Sequence, residues 1–96
     1  MAKAYWVSAY RKIFKPDQLA EYSKLATPAI LDGGGKILSR GPAKAAYDDG
    51  IAERTVLVEF DSLEAAIATF NSPAYAAAHK VLGDAVERDF RIIEGV

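Results

Sequence analysis

No cysteine occurs in the 96 residues, which excludes disulfides, thiolate metal sites and cysteine nucleophiles. Histidine occurs once, at His79, so an imidazole metal site has no partners at ligand spacing. Charge of either sign is barely in excess: 12 Lys and Arg face 13 Asp and Glu, a net charge of −1. No basic block stands out, and a phosphate backbone would need one. Nucleic acid is therefore not an expected partner. Long apolar runs are also missing. None approaches the roughly 20 residues of a membrane helix, and Arg11 and Lys12 interrupt the only early apolar stretch, so no signal-peptide core is expected. The expectation is a cytoplasmic chain forming one domain over residues 1–96. No metal, haem or flavin cofactor is expected, given no thiolate, one imidazole and no dinucleotide fingerprint.

What is present is an ordinary globular balance, 51% hydrophobic and 26% charged. A chain of this length buries roughly 60–65% of its unfolded surface. So thin a core gains stability from association.

Ala4 to Phe14, with Tyr5, Trp6, Val7, Tyr10 and Ile13, reads as a first strand with apolar groups on both faces. Pro16 and Asp17 suit the first turn of a helix. Leu19, Tyr22, Ala26 and Ala29/Ile30 form its apolar stripe. Pro28 predicts a kink, or a restart capped by Thr27. Gly33-Gly34-Gly35 ends the helix with residues that tolerate positive φ. Lys36 to Gly41 is a short second strand. Pro42 to Glu53 reads either as an extension of it or as a loop, with Asp49-Gly50 as a turn that two residues alone could close. Arg54 to Phe60 is the clearest strand. Asp61 and Glu64 resemble a capping box for a helix striped by Leu63, Ala66, Ile67 and Phe70. Ser72-Pro73 starts a short Ala-rich helix that runs to about Leu82 and closes at Gly83. Glu87 to Glu94 is the last strand, carrying Phe90, Ile92 and Ile93.

This βαββαβ order is that of an α+β, ferredoxin-like sandwich: a four-stranded antiparallel sheet with helices on one face. Strands that do not alternate cleanly need the other face covered too, and a second copy of the same sheet is the economical cover.

Several segments together resemble a known family: Ala4-Tyr5-Trp6, Gly34-Gly35-Lys36-Ile37-Leu38-Ser39-Arg40-Gly41, Arg54-Thr55-Val56-Leu57-Val58-Glu59-Phe60, Asn71-Ser72-Pro73-Ala74-Tyr75 and Arg91-Ile92-Ile93-Glu94-Gly95. Their order and spacing are similar to those of the domain-of-unknown-function family DUF1330, within the dimeric α/β-barrel superfamily, over nearly the whole chain. The resemblance implies a ferredoxin-like fold that dimerises through its sheets. It supplies no activity. Distant members of the superfamily include cofactor-independent quinol-type monooxygenases, lactone isomerases, haem-binding oxidoreductases and stress-response proteins, a breadth that leaves function to the site. This sequence departs from the pattern at Pro42, where a second Gly is common, and at Asp61, which replaces a frequent Pro. Thr69, Phe70 and Ala74 stand where Trp, Tyr and Glu are expected, so roles resting on those three side chains do not carry over.

Two residues are candidate acids or bases. Glu59 lies in the most apolar strand, where a carboxylate is either a structural ion-pair partner or a pocket acid with a raised pKa. His79 is the only imidazole, with an unperturbed pKa near neutrality; the bland alternative is a surface bystander. It is also the only obvious axial donor for a haem. Arg40 could pair with Glu59 across the hairpin or grip an anionic substrate in bidentate fashion. Tyr75, Tyr10 and Trp6, with Tyr5, could line a pocket for a flat organic molecule, although core packing explains strand aromatics equally well. The triple glycine follows a helix and precedes a strand, the reverse of the phosphate-loop order. The serines have no nucleophile-elbow context. The candidate site is thus Glu59 and His79 as catalytic residues, with Arg40, Tyr75, Tyr10 and Trp6 binding substrate. The functional expectation is a homodimer acting on a small apolar or aromatic molecule, as a cofactor-independent enzyme of monooxygenase or isomerase type. Non-catalytic ligand binding or a stress-related role is the alternative, and a purely structural role a third. Perturbed acids converging on a closed pocket would favour the enzyme.

Overall fold

A computed structural model of the chain describes residues 2–96. Seven elements follow one another: β1 (Ala4–Ile13), α1 (Pro16–Asp32), β2 (Lys36–Pro42), β3 (Arg54–Phe60), α2 (Leu63–Phe70), α3 (Pro73–Leu82) and β4 (Val86–Glu94). The strands form one antiparallel sheet in the order β2-β3-β1-β4, the ferredoxin-like arrangement with its second helix broken into α2 and α3.

Register sorts the side chains onto two faces, because successive residues of a strand point opposite ways. Trp6 sits between Val58 and Ile92, and Ser8 between Val56 and Phe90. These residues face the helices, and on β1 the whole row Ala4, Trp6, Ser8 and Tyr10 is buried. Tyr5, opposite Glu59 and Ile93, and Val7, opposite Leu57 and Arg91, face away from them. Among the described residues of a single chain no element covers that outer row: Tyr5, Val7 and Leu57 are half-buried and Ile93 is exposed.

Trp6 is the centre of the core. Its ring lies 5.0–5.2 Å from the centroids of Tyr75, Phe60 and Phe90, distances at which tilted aromatic pairs attract beyond simple area burial. Its indole N–H donates to the Ala66 carbonyl at 2.9 Å, so burial leaves no polar atom unpaired.

Two local details differ from the sequence reading, and a third decides between its alternatives. Pro28 does not restart the helix at Thr27: α1 runs through it without a break. Pro28 is exposed, and so is Lys24, whose carbonyl loses its helical partner; water on that side can satisfy it. The cap of α2 is Ser62, not Asp61. The Ser62 Oγ accepts from the Ala65 N–H at 3.1 Å, while Asp61 is drawn into an ion pair with Lys3 at 2.9 Å. The β2–β3 connection is a long loop whose turn closes from the Gly50 N–H to the Tyr47 carbonyl at 2.8 Å, with Asp48 at φ 53°; Asp49-Gly50 does not form a two-residue hairpin.

The triple glycine serves two purposes. Only Gly34 has positive φ, at 88°. Gly33 and Gly35 are needed for close approach: a Cβ on Gly33 would collide with the Thr69 side chain. A Cβ on Gly35 would stand 2.6 Å from Ile30 Cγ2 and 2.9 Å from Phe60 Cζ. The end of α1 is thereby pressed onto α2 and the sheet. Gly35→Ala is expected to cost about 1–3 kcal/mol through overpacking, read as a lower urea midpoint with an unchanged slope. An unchanged midpoint would mean that Ile30 and Phe60 yield freely.

Candidate functional site

A cleft opens between α1 and the helix-facing side of the sheet, with a cavity volume of about 30 Å³, room for one or two waters. Trp6, Tyr10, Val58 and Phe90 of the strands and Ala26 and Ile30 of α1 give it an apolar and aromatic wall. Three arginines also line it: Arg40 of β2, Arg54 of β3 and Arg88 of β4. No carboxylate does.

The guanidiniums have no anionic partner. The ion pairs among the described residues join Lys3 to Asp61, Arg11 and Arg91 to Asp89, Lys15 to Asp84 and Lys24 to Glu21. Arg40 stands at the exposed mouth and donates to Thr27 Oγ1 at 3.3 Å. Arg54 lies over the Tyr10 ring, 5.9 Å from its centroid, and its buried Nε has no acceptor. Arg88 is deepest. It donates to Tyr75 Oη at 3.0 Å, Tyr22 Oη at 3.3 Å and Ser8 Oγ at 3.4 Å, and it stacks 4.8 Å from the Phe90 centroid. Burial acts to lower the Arg88 pKa and the two tyrosines act to raise it, with a net upward direction; the group is a permanent cation. Burial raises the Tyr22 pKa, with the neighbouring Tyr75 adding to the effect and Arg88 opposing it, so Tyr22 keeps its proton at neutral pH. Its hydroxyl lies 2.7 Å from that of Tyr75.

The six sequence-predicted residues do not converge. Trp6, Tyr10 and Arg40 line the cleft. Tyr75 lies behind it, fully buried, touching the site through Arg88 and Tyr22. Glu59 points to the opposite face of the sheet, where it accepts from Tyr5 Oη at 3.2 Å. Arg40 stands opposite Val56, and Lys36 opposite Glu59, so Arg40 and Glu59 cannot meet. A β-bulge between Ile37 and Ser39 helps set that register. His79 lies outside the cleft. It is exposed, stacked 6.2 Å from Tyr75, and borders a separate hollow with Phe70, Leu82 and Val86.

Ser8, Tyr22, Arg54 and Arg88 were not among the predicted site residues. A signal for Arg88 exists in the sequence: it shares strand parity with Phe90 and Ile92, which puts a cation on a core-facing row. Tyr22 carries no such signal, since its stripe reads as ordinary helix core. Among the described residues no three His, Asp or Glu side chains cluster as a metal site, and no helix is long and apolar enough to cross a membrane.

Partial desolvation of the ring where it lies against Tyr75 and Phe70, and secondarily Arg88, lower the pKa of His79 below its ordinary 6.5. The unfolded chain therefore takes up this proton at a higher pH than the folded one. Stability from this source is complete above about pH 6.5 and falls as pH drops toward the folded value. His79→Gln should flatten that slope, and an NMR titration of the imidazole should give a midpoint under 6.5. A midpoint at or above 6.5 would contradict this account.

Comparison with known proteins places the chain. Among solved structures, the RPA0582 protein of unknown function from Rhodopseudomonas palustris superposes with a TM-score of 0.74 at 21% identity, covering 97% of this chain and 80% of that one. A dimeric ferredoxin-like protein of unknown function from Thermobifida fusca gives 0.65 at 14% identity, covering 99% and 92%. A Caulobacter crescentus protein provisionally described as an antibiotic biosynthesis monooxygenase gives 0.64 at 16% identity, covering 99% and 91%. At such identities the likeness establishes the fold alone. No curated protein matches. The family model described as domain of unknown function DUF1330 matches residues 3–96, and the chain belongs to that family.

Proposed function

We propose that the protein is a homodimer that binds a small organic anion, with a flat apolar body, in the cleft between α1 and the sheet. One observation carries this reading: three arginines without a carboxylate partner line a largely apolar cleft. A desolvated cation is costly unless paired, and one hydrogen bond from a charged group to an anion contributes about 1.5–3 kcal/mol. A carboxylate offers the acceptor that Arg54 Nε lacks. A ring attached to it would lie against Tyr10, Phe90 and Ile30. The cavity is narrow, so entry of a ring requires the exposed Arg40 side chain to swing aside at the mouth.

A second reading draws on the same donors. Guanidinium and phenol groups stabilise an enolate or phenolate as it forms, which suits a cofactor-independent reaction of the monooxygenase or isomerase kind. The likeness to the Caulobacter crescentus protein agrees with it at the level of fold. No carboxylate or imidazole lines the cleft, so this reading needs a substrate acidic enough to ionise on binding. Binding without turnover is the simpler fit.

Trp6, the only tryptophan, lines the cleft and reports on it. Benzoate should change its fluorescence saturably, and the neutral isostere benzamide should not. Arg54→Gln should weaken benzoate binding roughly tenfold or more. Absence of any benzoate response at millimolar concentration would sink the proposal.

The dimer is supported by the outer row of the sheet, where Tyr5, Val7 and Leu57 are half-buried and Ile93 exposed, and by the dimeric Thermobifida fusca neighbour. Asp89 neutralises Arg91 on this face through bonds of 3.0 and 3.1 Å, which lowers the cost of covering it. Sedimentation should give about twice the 10.4 kDa chain mass, and Leu57→Arg should shift the particle to monomer. A parent protein that sediments as a folded monomer would remove this part of the proposal.

A further inference from the structure

The hydroxyl groups around Arg88 carry a bookkeeping constraint. Tyr22 and Tyr75 have one O–H proton each, and their oxygens are 2.7 Å apart. Both oxygens also accept from Arg88. Only one of the two protons can lie between them, so the other must point elsewhere. Tyr75 is fully buried, does not line the cleft, and has no further partner among the described residues. If Tyr22 donated to Tyr75, the Tyr75 proton would be left in the core with no acceptor, the costly arrangement for a buried polar group. Tyr22 does line the cleft, where its proton can meet water or a ligand.

We infer that Tyr75 donates to Tyr22, and that the Tyr22 O–H is the donor that reads a deprotonated carboxylate in the cleft. Ser8 follows the same logic. Its Oγ accepts from Arg88, it is buried, and it lines the cleft, and its own proton has no acceptor among the described residues. With the buried Nε of Arg54, the cleft holds three N–H or O–H groups that lack an acceptor among the described residues. Such a lining favours a ligand that only accepts. A carboxylate brings up to four acceptor sites and no proton, whereas a carboxylic acid, amide or alcohol must also place a proton of its own. Tyr75 is then a positioning residue, acting on the ligand only by fixing the Tyr22 rotor.

This inference deepens the anion-cleft reading and rests on it, and two measurements separate them. In the ligand-free protein, NMR of tyrosine hydroxyl protons should show Tyr75 protected and Tyr22 exchanging rapidly with water. The reverse order overturns the inference whether or not any ligand binds. In benzoate titrations followed at Trp6, Tyr22→Phe should weaken binding roughly 10- to 100-fold. Tyr75→Phe should stay within about threefold of the parent, since the Tyr22 proton is free in both. An unchanged affinity in Tyr22→Phe, or a gain in Tyr75→Phe, overturns it, because a gain would mean that Tyr75 had been holding the Tyr22 proton. Should the parent itself fail to bind benzoate, the cleft reading falls, and hydroxyl exchange still decides the donor direction.

Discussion

A guanidinium taken out of water without a counter-charge is the constraint around which this molecule is arranged. Arg88 reaches from β4 under the helices and is held by Ser8 of β1, Tyr22 of α1 and Tyr75 of α3. Four elements converge on one cation. Phenol and serine oxygens replace its hydration, and the faces of Phe90 and Tyr22 lie within 4.8 and 5.5 Å. These contacts supply dipoles and ring quadrupoles but no negative charge, so the cation is solvated without being neutralised. Its remaining attraction for an anion is directed into the cleft, where Arg54 and Arg40 add to it.

The sheet separates two tasks by parity. Even-numbered residues of β1, β3 and β4 face the helices and build the core and the cleft. Odd-numbered residues build the opposite face, on which Glu59 and the Asp89–Arg91 pair sit among apolar side chains. The break between α2 and α3 matters to the first task. Ser72 ends one helix and caps the next, its Oγ donating to the Thr69 carbonyl at 2.7 Å and accepting from the Tyr75 N–H at 3.2 Å. That cap sets the phase of α3 and turns Tyr75 inward to Trp6 and Arg88, while His79, one turn later, is left at the surface.

The fold was legible because each element carries its own local signal. Pro16, Ser72 and Gly83 mark helix ends through backbone chemistry that acts within a few residues. The stripe of Leu19, Tyr22, Ala26 and Ile30 and the run Val56 to Phe60 state their periods directly. The misjudged details are those where two local signals compete. Asp61 and Ser62 both suit an N-cap, and Lys3, 58 residues away in sequence, draws off the first. Pro28 disfavours a helix, but its exposed position makes the lost hydrogen bond cheap.

The site was legible only in part, and the reason is long-range. Strand alternation alone places Glu59 opposite in face to Val58 and Phe60; which of those faces meets the helices is decided by packing. The same alternation puts Arg88 beside Phe90, yet nothing local says that Tyr22 and Tyr75, 53 residues apart, meet over it. The sequence by itself determined the βαββαβ order, the helix ends and the sorting of each strand into two rows, since these follow from backbone chemistry and side-chain periods of two and 3.6. Only the tertiary structure decided which row faces the helices, and therefore that three unpaired arginines share a cleft while the carboxylate of Glu59 stands on the far side of the sheet. Register and helix docking bring distant residues together, and no local pattern encodes that encounter.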